Sequence, residues 1–323
     1  MKILVTGGAG FIGSHLCRKL LDIGHELFVV DDLSTGRYEN VAPFVANSRF
    51  HFIVDTILNT ATLERLMLEC ELVYHLAASV GVKRIVERPV ETIETNVLGS
   101  HAVMSLAAKY HRKVILFSTS EVYGKNNRLP FDEKADCVYG PTTKSRWSYG
   151  CTKALDEFLG LAYHKEMGLP IVIVRVFNMI GPHQSGQYGM VVPNFVRQAL
   201  RNQPITVFGD GTQSRCFTYV MDLIEALIGL QDRPDAVGEI FNVGSTESIS
   251  ILDLAKKVKK MTASESEIIF VPYDQAYEEG FEDMQQRKPD ITKIKKRIGF
   301  SPATNLEESL SNIIAYEKTL LPQ

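Results

Sequence analysis

No apolar run in this 323-residue chain reaches the roughly twenty residues needed to cross a bilayer. A secretory leader is not expected either. The chain opens on what reads as a strand, and glycines interrupt the apolar run after Val5. Charge of one sign is scarce. The formal net charge of -3 gives neither the basic footprint that nucleic acid or an anionic membrane calls for nor the acidity of a disordered chain. Cysteine is sparse, and its spacing suits neither a metal knuckle nor a disulfide framework. Cys17, Cys70, Cys137, Cys151 and Cys216 are scattered, and their odd number is what free thiols in the cytoplasm would show. Cys17 falls inside an amphipathic pattern and Cys70 just before an apolar run, so both are expected in the core. There is no internal repeat and no low-complexity segment. With 45% hydrophobic and 23% charged residues, the composition is that of a globular protein of one or two domains.

What is present begins with Lys2 to Asp32. Ile3-Leu4-Val5 is a short apolar run bounded by glycine, the pattern of a buried parallel strand. Gly7-x-x-Gly10-x-x-Gly13 leads straight into an amphipathic helix pattern of Ile12, Leu16, Leu20 and Ile23. A second apolar strand, Leu27 to Val30, ends on Asp31. Strand, glycine turn, helix and strand make one βαβ unit, the context a dinucleotide fingerprint requires. Gly7 permits the tight turn, Gly10 the approach of backbone to a pyrophosphate on the helix N-terminus, and Gly13 the close packing of helix on strand. Asp31 can accept hydrogen bonds from an adenosine ribose and would repel a 2′-phosphate, so NAD is expected rather than NADP. The polar turn that follows, with Asp32, Ser34 and Gly36, can close over the adenosine.

Downstream, apolar strands alternate with helical patterns. Phe50 to Val54 ends on Asp55-Thr56. Glu71 to Leu76 ends in Ala77-Ala78, small residues that let a cofactor lie against the strand end. Lys113 to Phe117 runs into Ser118-Thr119-Ser120-Glu121, and Ile171 to Val176 ends in Phe177-Asn178. Helical patterns lie between them: Leu63, Leu66 and Met67; Val90 to Tyr110, with Asn96 among apolar neighbours; and Ala154 to Met167. This alternation predicts an α/β fold with a doubly wound parallel sheet, whose strand C-termini share one crevice. Gly7, Asp31, Ala77, Thr119, Glu121 and Asn178 should converge there. His75 precedes a strand end and reads as an interior or supporting residue rather than a catalytic one. From Gly181 onward, glycine and proline punctuate shorter segments. The expectation is a dinucleotide-binding domain over 1–180, completed by a returning strand near 238–245, and a smaller substrate domain over the rest of 181–323. The Lys256 to Lys260 run reads as a solvated helix face.

Tyr149 and Lys153 lie four apart at a helix start and so share a face. A tyrosine hydroxyl has an ordinary pKa of about 10. A neighbouring ammonium would lower it toward the working pH, where it can take a proton from an alcohol. Lys153 is expected to supply that charge and to hold a nicotinamide ribose. The pair gains weight by following a strand that ends in Ser-Thr-Ser-Glu.

Several of these stretches resemble one family. Thr6-Gly-Gly-Ala-Gly-Phe-Ile-Gly13, the Asp31-Asp-Leu-Ser-Thr-Gly36 turn, Leu76-Ala-Ala78, Tyr149-x-x-x-Lys153 and Arg175-x-Phe-Asn178 look like the extended short-chain dehydrogenase/reductases. More narrowly, the chain resembles the NAD-dependent nucleotide-sugar epimerases, dehydratases and decarboxylases, over essentially its whole length. The resemblance implies a Rossmann-type doubly wound parallel sheet with a smaller C-terminal α/β domain. It also implies a bound NAD, a UDP-sugar in the cleft and a homodimer formed through a four-helix bundle. No metal is implied. The cofactor set so implied is Gly7, Gly10, Phe11, Ile12, Gly13, Asp31, Asp32, Ser34, Gly36, Asp55, Thr56, Leu76, Ala77, Ala78, Asn96, Tyr149 and Lys153. Tyr149 resembles the base on the sugar O4, Lys153 its partner and Thr119 the hydroxyl bonded to O4, with Glu121 beside them in the catalytic set. Ser120 and Asn178 resemble substrate ligands. Arg215 resembles the arginine on the diphosphate, and Arg287 a second diphosphate contact.

The reaction so implied starts with hydride transfer from C4 to NAD and a proton from O4 to Tyr149. Ser118-Thr-Ser-Glu-Val-Tyr-Gly124, Arg146-Trp-x-Tyr149 and Gln286-Arg-Lys-Pro-Asp-Ile291 resemble UDP-glucuronate decarboxylases, whose 4-keto intermediate is a β-keto acid that loses CO2. Ser79-Val-Gly-Val-Lys83 resembles the 4-epimerases instead. A UDP-sugar 4-epimerase is therefore the alternative. A 4,6-dehydratase comes next, because GDP-mannose dehydratases also carry Ser-Glu. NAD-sensing modules of this fold typically lack the Tyr/Lys pair, and this chain has both members.

Overall fold

The computed structural model describes residues 1–81, 85, 87–186, 189–272 and 284–321. Val82 and Lys83 of the epimerase-like loop lie outside the described residues. The apolar run at the N-terminus forms β1 (Lys2–Thr6), with Ile3, Leu4 and Val5 fully buried. It is followed by β2 (Glu26–Asp31), β3 (Phe50–Val54), β4 (Leu72–His75), β5 (Lys113–Thr119) and β6 (Ile171–Val176). Beyond these come β7 (Met179–Ile180), β8 (Ile205–Phe208), β9 (Ser214–Cys216), β10 (Thr218–Tyr219), β11 (Glu239–Val243), β12 (Ser248–Ser250), β13 (Ile268–Val271) and β14 (Gln286–Arg287).

Seven of these strands make one sheet in the order β11-β6-β5-β4-β1-β2-β3, and every pairing within it is parallel. Parallel strands need crossovers, and helices supply them on both faces. The helices are α1 (Phe11–Asp22), α2 (Thr60–Glu69), α3 (Pro89–Lys109), α4 (Ser148–Met167), α5 (Val191–Leu200), α6 (Val220–Gln231), α7 (Ile251–Met261), α8 (Thr292–Ile298) and α9 (Leu306–Thr319). Leu16 and Leu20 of α1 and Leu223 and Leu227 of α6 pack on one face of the sheet. Leu63 and Met67 of α2 and Val103 and Met104 of α3 pack on the other. Cys17 and Cys70 are buried in these two layers. A third apolar cluster joins α5, α7 and α9 over β8, through Phe195, Leu254 and Leu310.

Near that third cluster lies a three-stranded sheet in the order β12-β9-β14. Its parallel β9-β14 pairing sets Arg287 opposite Arg215, so both side chains rise from the same face. The Lys256 to Lys260 run lies in α7, where Lys256 and Lys260 are exposed and Lys257 pairs with Glu307 at 2.7 Å. Among the described residues, no helix is long and apolar enough to cross a membrane.

Candidate active site

The C-terminal ends of the parallel strands open on one cavity of about 530 Å³. The first turn of α1 forms part of its wall. α1 begins at Gly10 with no side-chain cap and no acidic residue in its first turn, so its leading N–H groups are available to an anion. Gly10, Phe11, Ile12 and Gly13 all line the cavity, as does Gly7, which sits at φ +75°. A methyl group on Gly13 would stand 2.2 Å from the Gly7 carbonyl oxygen and 2.6 Å from the Gly8 Cα. These are backbone atoms, so the turn itself would have to open. Gly13→Ala should cost about 1–3 kcal/mol of stability and weaken NAD binding. Thermal melts and an NAD fluorescence titration would measure both, and unchanged values would contradict the close-packing role.

The acidic strand end is as expected in place but busier than expected in its bonds. Asp31 lines the cavity, and its two oxygens accept hydrogen bonds from the amides of Ala9 and Leu33, each at 2.9 Å. Burial pushes its carboxyl up, and those amide bonds oppose the rise. Each carboxylate oxygen has further acceptor capacity, so a ribose hydroxyl can still be held. Asp32, Ser34, Asp55, Leu76, Ala77 and Ala78 line the same cavity. Gly36, Thr56 and Asn96 do not. Asn96 is fully buried, and its side chain bonds Ser79 at 2.7 Å and Thr152 at 3.3 Å. It secures the loop after β4 to α4 from just behind the cavity wall. His75 is likewise interior. Its ring nitrogens meet Thr6 at 2.8 Å and Ser100 at 3.0 Å, and burial holds its pKa down at about 3.

Thr119 ends β5, and a short turn over Ser120–Tyr123 carries Glu121 to the cavity. Gly150 permits that approach. A Cβ there would lie 2.7 Å from the Glu121 carbonyl oxygen, so the turn can rest directly on the start of α4. Tyr149, next to Gly150, thereby shares a wall with Thr119, Ser120 and Glu121. The expected lowering of Tyr149 by Lys153 is not what the geometry gives. The phenol lies above its ordinary range because of burial, then the charges of Glu121 and Asp156, while a hydrogen bond with Thr119 pulls the other way. The Lys153 ammonium does not line the cavity. It is spent on Asp156 at 2.9 Å, with both groups buried. Asp156, three residues along the helix, is the sequence signal for that pairing.

Glu121 meets Arg146 at 2.7 Å and Arg287 at 2.5 Å. Burial alone would raise its carboxyl, yet the two guanidinium charges hold it down at about 2. Glu121 is therefore a carboxylate at neutral pH and has no proton to donate. Arg287, expected on a diphosphate, lines the cavity and pairs with Glu121. Arg146 is a site residue absent from the expected set. It lies in a short turn, Ser145–Trp147, directly before α4, and it is 4% exposed. Asn178, at φ +40°, and Arg215 also line the cavity. Asn178 donates to the Cys216 carbonyl at 3.0 Å, and Arg215 to the Ser214 carbonyl at 2.8 Å.

A family model described as the NAD dependent epimerase/dehydratase family matches residues 3–244. The chain belongs to that family. The chain is similar to UDP-N-acetyl-alpha-D-glucosaminuronate decarboxylase of Bacillus cytotoxicus, 42% identical over 98% of this chain and 97% of the relative. UDP-glucuronic acid decarboxylase 1 of Danio rerio is 37% identical over 98% of this chain and 72% of the relative. Among solved structures, a Tyr-to-Phe variant of UDP-glucuronic acid 4-epimerase from Bacillus cereus, in complex with UDP-4-deoxy-4-fluoro-glucuronic acid and NAD, superposes with a TM-score of 0.89. It is 32% identical, covering 99% of this chain and 100% of that one. The chain is thus an extended short-chain dehydrogenase/reductase, an enzyme, and NAD is its cofactor. The glycine turn fits that cofactor, since the space beside Gly7 and Gly13 leaves no room for a Cβ.

Proposed function

We propose that the enzyme oxidises a UDP-hexuronate at C4 and then releases its C6 carboxyl group as CO2. The observation that carries this reading is the meeting of Arg146 and Arg287 on Glu121, on the cavity wall that holds Tyr149. A guanidinium presents several N–H donors in a fixed fork, so these groups can engage a sugar carboxylate beside Glu121. NAD, when bound, accepts the hydride from C4. Tyr149 takes the O4 proton, and Thr119 orients the hydroxyl that loses it. In the resulting ketone the C6 carboxylate stands β to the carbonyl. As the C5–C6 bond breaks, its electron pair passes to the C4 oxygen, and Thr119 and Tyr149 are placed to bind the enolate oxygen so formed. A proton from water adds at C5 and leaves the UDP-4-keto-pentose, with the O4 proton still on Tyr149. Glu121, held ionised, orients the two arginines. Arg215 and Asn178 are assigned to the diphosphate, and Ser120 to the sugar. Residues 1–180 with β11 serve NAD, and the remainder serves the nucleotide-sugar.

Two hexuronates fall in this class. The identity of 42% and the matched lengths of the Bacillus cytotoxicus relative favour the 2-acetamido sugar, with UDP-glucuronate as the second substrate. Mass spectrometry after incubation with each sugar and NAD tests the reading. A product lighter by CO2 and two hydrogens, the 4-keto pentose, or one lighter by CO2 alone, the pentose formed when the hydride returns to C4, supports it. An isomer of unchanged mass overturns it in favour of the 4-epimerase reading, which the likeness to the Bacillus cereus enzyme supports. No product from either sugar removes both.

The paired helices α3 and α4 expose a row of apolar side chains: Val90 at 67%, Ile93 at 41%, Leu98 at 54%, Leu155 at 48% and Phe158 at 70%. A second copy of the chain is the occupant this supports, as a four-helix bundle. Phe158→Glu should halve the mass seen by light scattering and leave the fold intact. A mass unchanged by the substitution would exclude this face as the interface. All five thiols are free, which supports a cytoplasmic location.

A further inference from the structure

Beneath Glu121 lies a buried network that touches no part of the cavity. Tyr123 follows Glu121 by two residues in the same turn, and it is fully buried. Its hydroxyl donates to the Asn242 Oδ1 at 2.7 Å and accepts from Arg175 Nη1 at 2.9 Å. Arg175 is held in turn by both oxygens of Glu157, to which Ser118 of β5 also donates. Asn242, on β11, is fully buried too. Its Nδ2 donates to the Phe131 carbonyl at 2.9 Å and the Asp290 carbonyl at 3.3 Å. Phe131 stacks on the Tyr123 ring with centroids 4.6 Å apart. It is also zipped to the segment that follows Arg287: its amide donates to the Lys288 carbonyl at 2.8 Å, and its carbonyl accepts from the Asp290 amide at 2.7 Å. One hydroxyl therefore joins the turn that carries Glu121 to the segment that carries Arg287.

We infer that the Tyr123 hydroxyl, acting through Asn242, is a positioning group that fixes Glu121 against Arg287 and so governs the carboxylate half of the reaction and not the hydride half. The inference rests on the proposed decarboxylation for its main readout. The geometry separates the two halves. Hydride transfer needs Tyr149, Thr119 and the glycine turn, which are set by α4, β5 and β1. Ser118 of β5 and Glu157 of α4 hold Arg175 through bonds that do not need the Tyr123 hydroxyl, so those elements keep their ties when it is removed, whereas the Arg287 segment is joined to the Glu121 turn through Phe131 and Asn242. Loss of a buried hydrogen bond leaves the Asn242 acceptor without its donor, and the two segments can then shift against one another.

The test uses the NAD-loaded enzyme with Tyr123→Phe, which keeps the ring and its stack. Two rates are followed with the hexuronate that the unaltered enzyme consumes: reduced nicotinamide by absorbance and released CO2. CO2 release should fall about tenfold, hydride transfer should change far less because Glu121 stays ionised beside Tyr149, and reduced nicotinamide should accumulate to a higher level. Asn242→Asp, which replaces the Nδ2 donor by an acceptor facing two carbonyls, should show the same split. Equal loss of both rates in either variant would make the network merely structural. No loss in Tyr123→Phe would also overturn the inference. Should the unaltered enzyme return its hexuronate at full mass, the decarboxylase reading falls by itself. The positioning role is then read in KM, which should rise in Tyr123→Phe for the hexuronate but not for UDP-glucose. Equal changes for the two sugars, or none, would overturn it.

Discussion

Tyr149→Phe should lower turnover by about 10²–10⁴-fold while NAD remains bound. Among the described residues Tyr149 is the only tyrosine that lines the cavity, and its hydroxyl bonds that of Thr119. The hydroxyls of Thr119 and Ser120 on the same wall are aliphatic alcohols, which ionise far less readily than a phenol and so are poor substitutes as acceptor of the O4 proton. Glu121 is tied to two arginines and ionised, but its pKa of about 2 makes it too weak a base for an alcohol. The glycine turn before α1 and Asp31 of β2, which we propose hold NAD, are untouched by the substitution, and the aromatic ring is kept, so the NAD dissociation constant should stay as it is. The pH dependence has a definite sign. Tyr149 sits above the ordinary phenol range, and the phenolate is the form that takes the proton. The rate of C4 oxidation should therefore climb as pH rises. Turnover unaltered in the Phe variant would sink the assignment.

Glu121→Gln should do two things at once. The first concerns stability. Arg146 and Arg287 are each under a tenth exposed, and both would lose the carboxylate they share. Removing one partner of a buried ion pair costs about 3–5 kcal/mol. Glu121 titrates lower in the folded chain than an ordinary glutamate. Its contribution to stability is therefore full above the unfolded pKa and is lost as pH falls between about 5 and 2. Urea melts across that range should show a falling limb in the native enzyme that is shallower in the variant. The second effect concerns catalysis. Glu121 is, after burial, the largest influence keeping Tyr149 protonated. Without it, the rise of C4 oxidation with pH should move to lower pH even as CO2 release declines. A limb that stays in place would mean that the two groups do not sense one another.

Much of the sheet is legible in the chain because each buried parallel strand is a bare apolar run, and Ile3 to Val5 or Val114 to Leu116 can hardly be anything else. The glycine turn is equally plain, since its spacing answers to backbone contacts a few residues apart. The extension of β2 through Asp31 and of α3 from Pro89 to Lys109 moves boundaries by only a residue or so. What pattern does not yield is partner choice. Arg287 lies in a recognisable stretch, yet its ion pair with Glu121 exists only because β14 is laid beside β9 and the Ser120–Tyr123 turn rests on Gly150. Arg146 precedes Tyr149 by three residues in a turn, where no periodicity tells which way a side chain points. Asn96 shows a second limit of pattern. A polar residue in an apolar helix face suggests a ligand, but the backbone of Ser79 claimed its amide first.

The shortness of β14 has a consequence for chain length. Two residues at the edge of a three-stranded sheet hold Arg287 in register with Arg215. Side chains alternate between faces along a strand, so a slip of one residue turns Arg287 away from the cavity and leaves Gln286 or Lys288 in its place. Deleting Gln285 alone would thus be felt at the sugar carboxylate, though every residue that reaches the substrate is still in the chain. Length, as much as identity, sets the register at that strand, and a segment grafted there should be matched residue for residue.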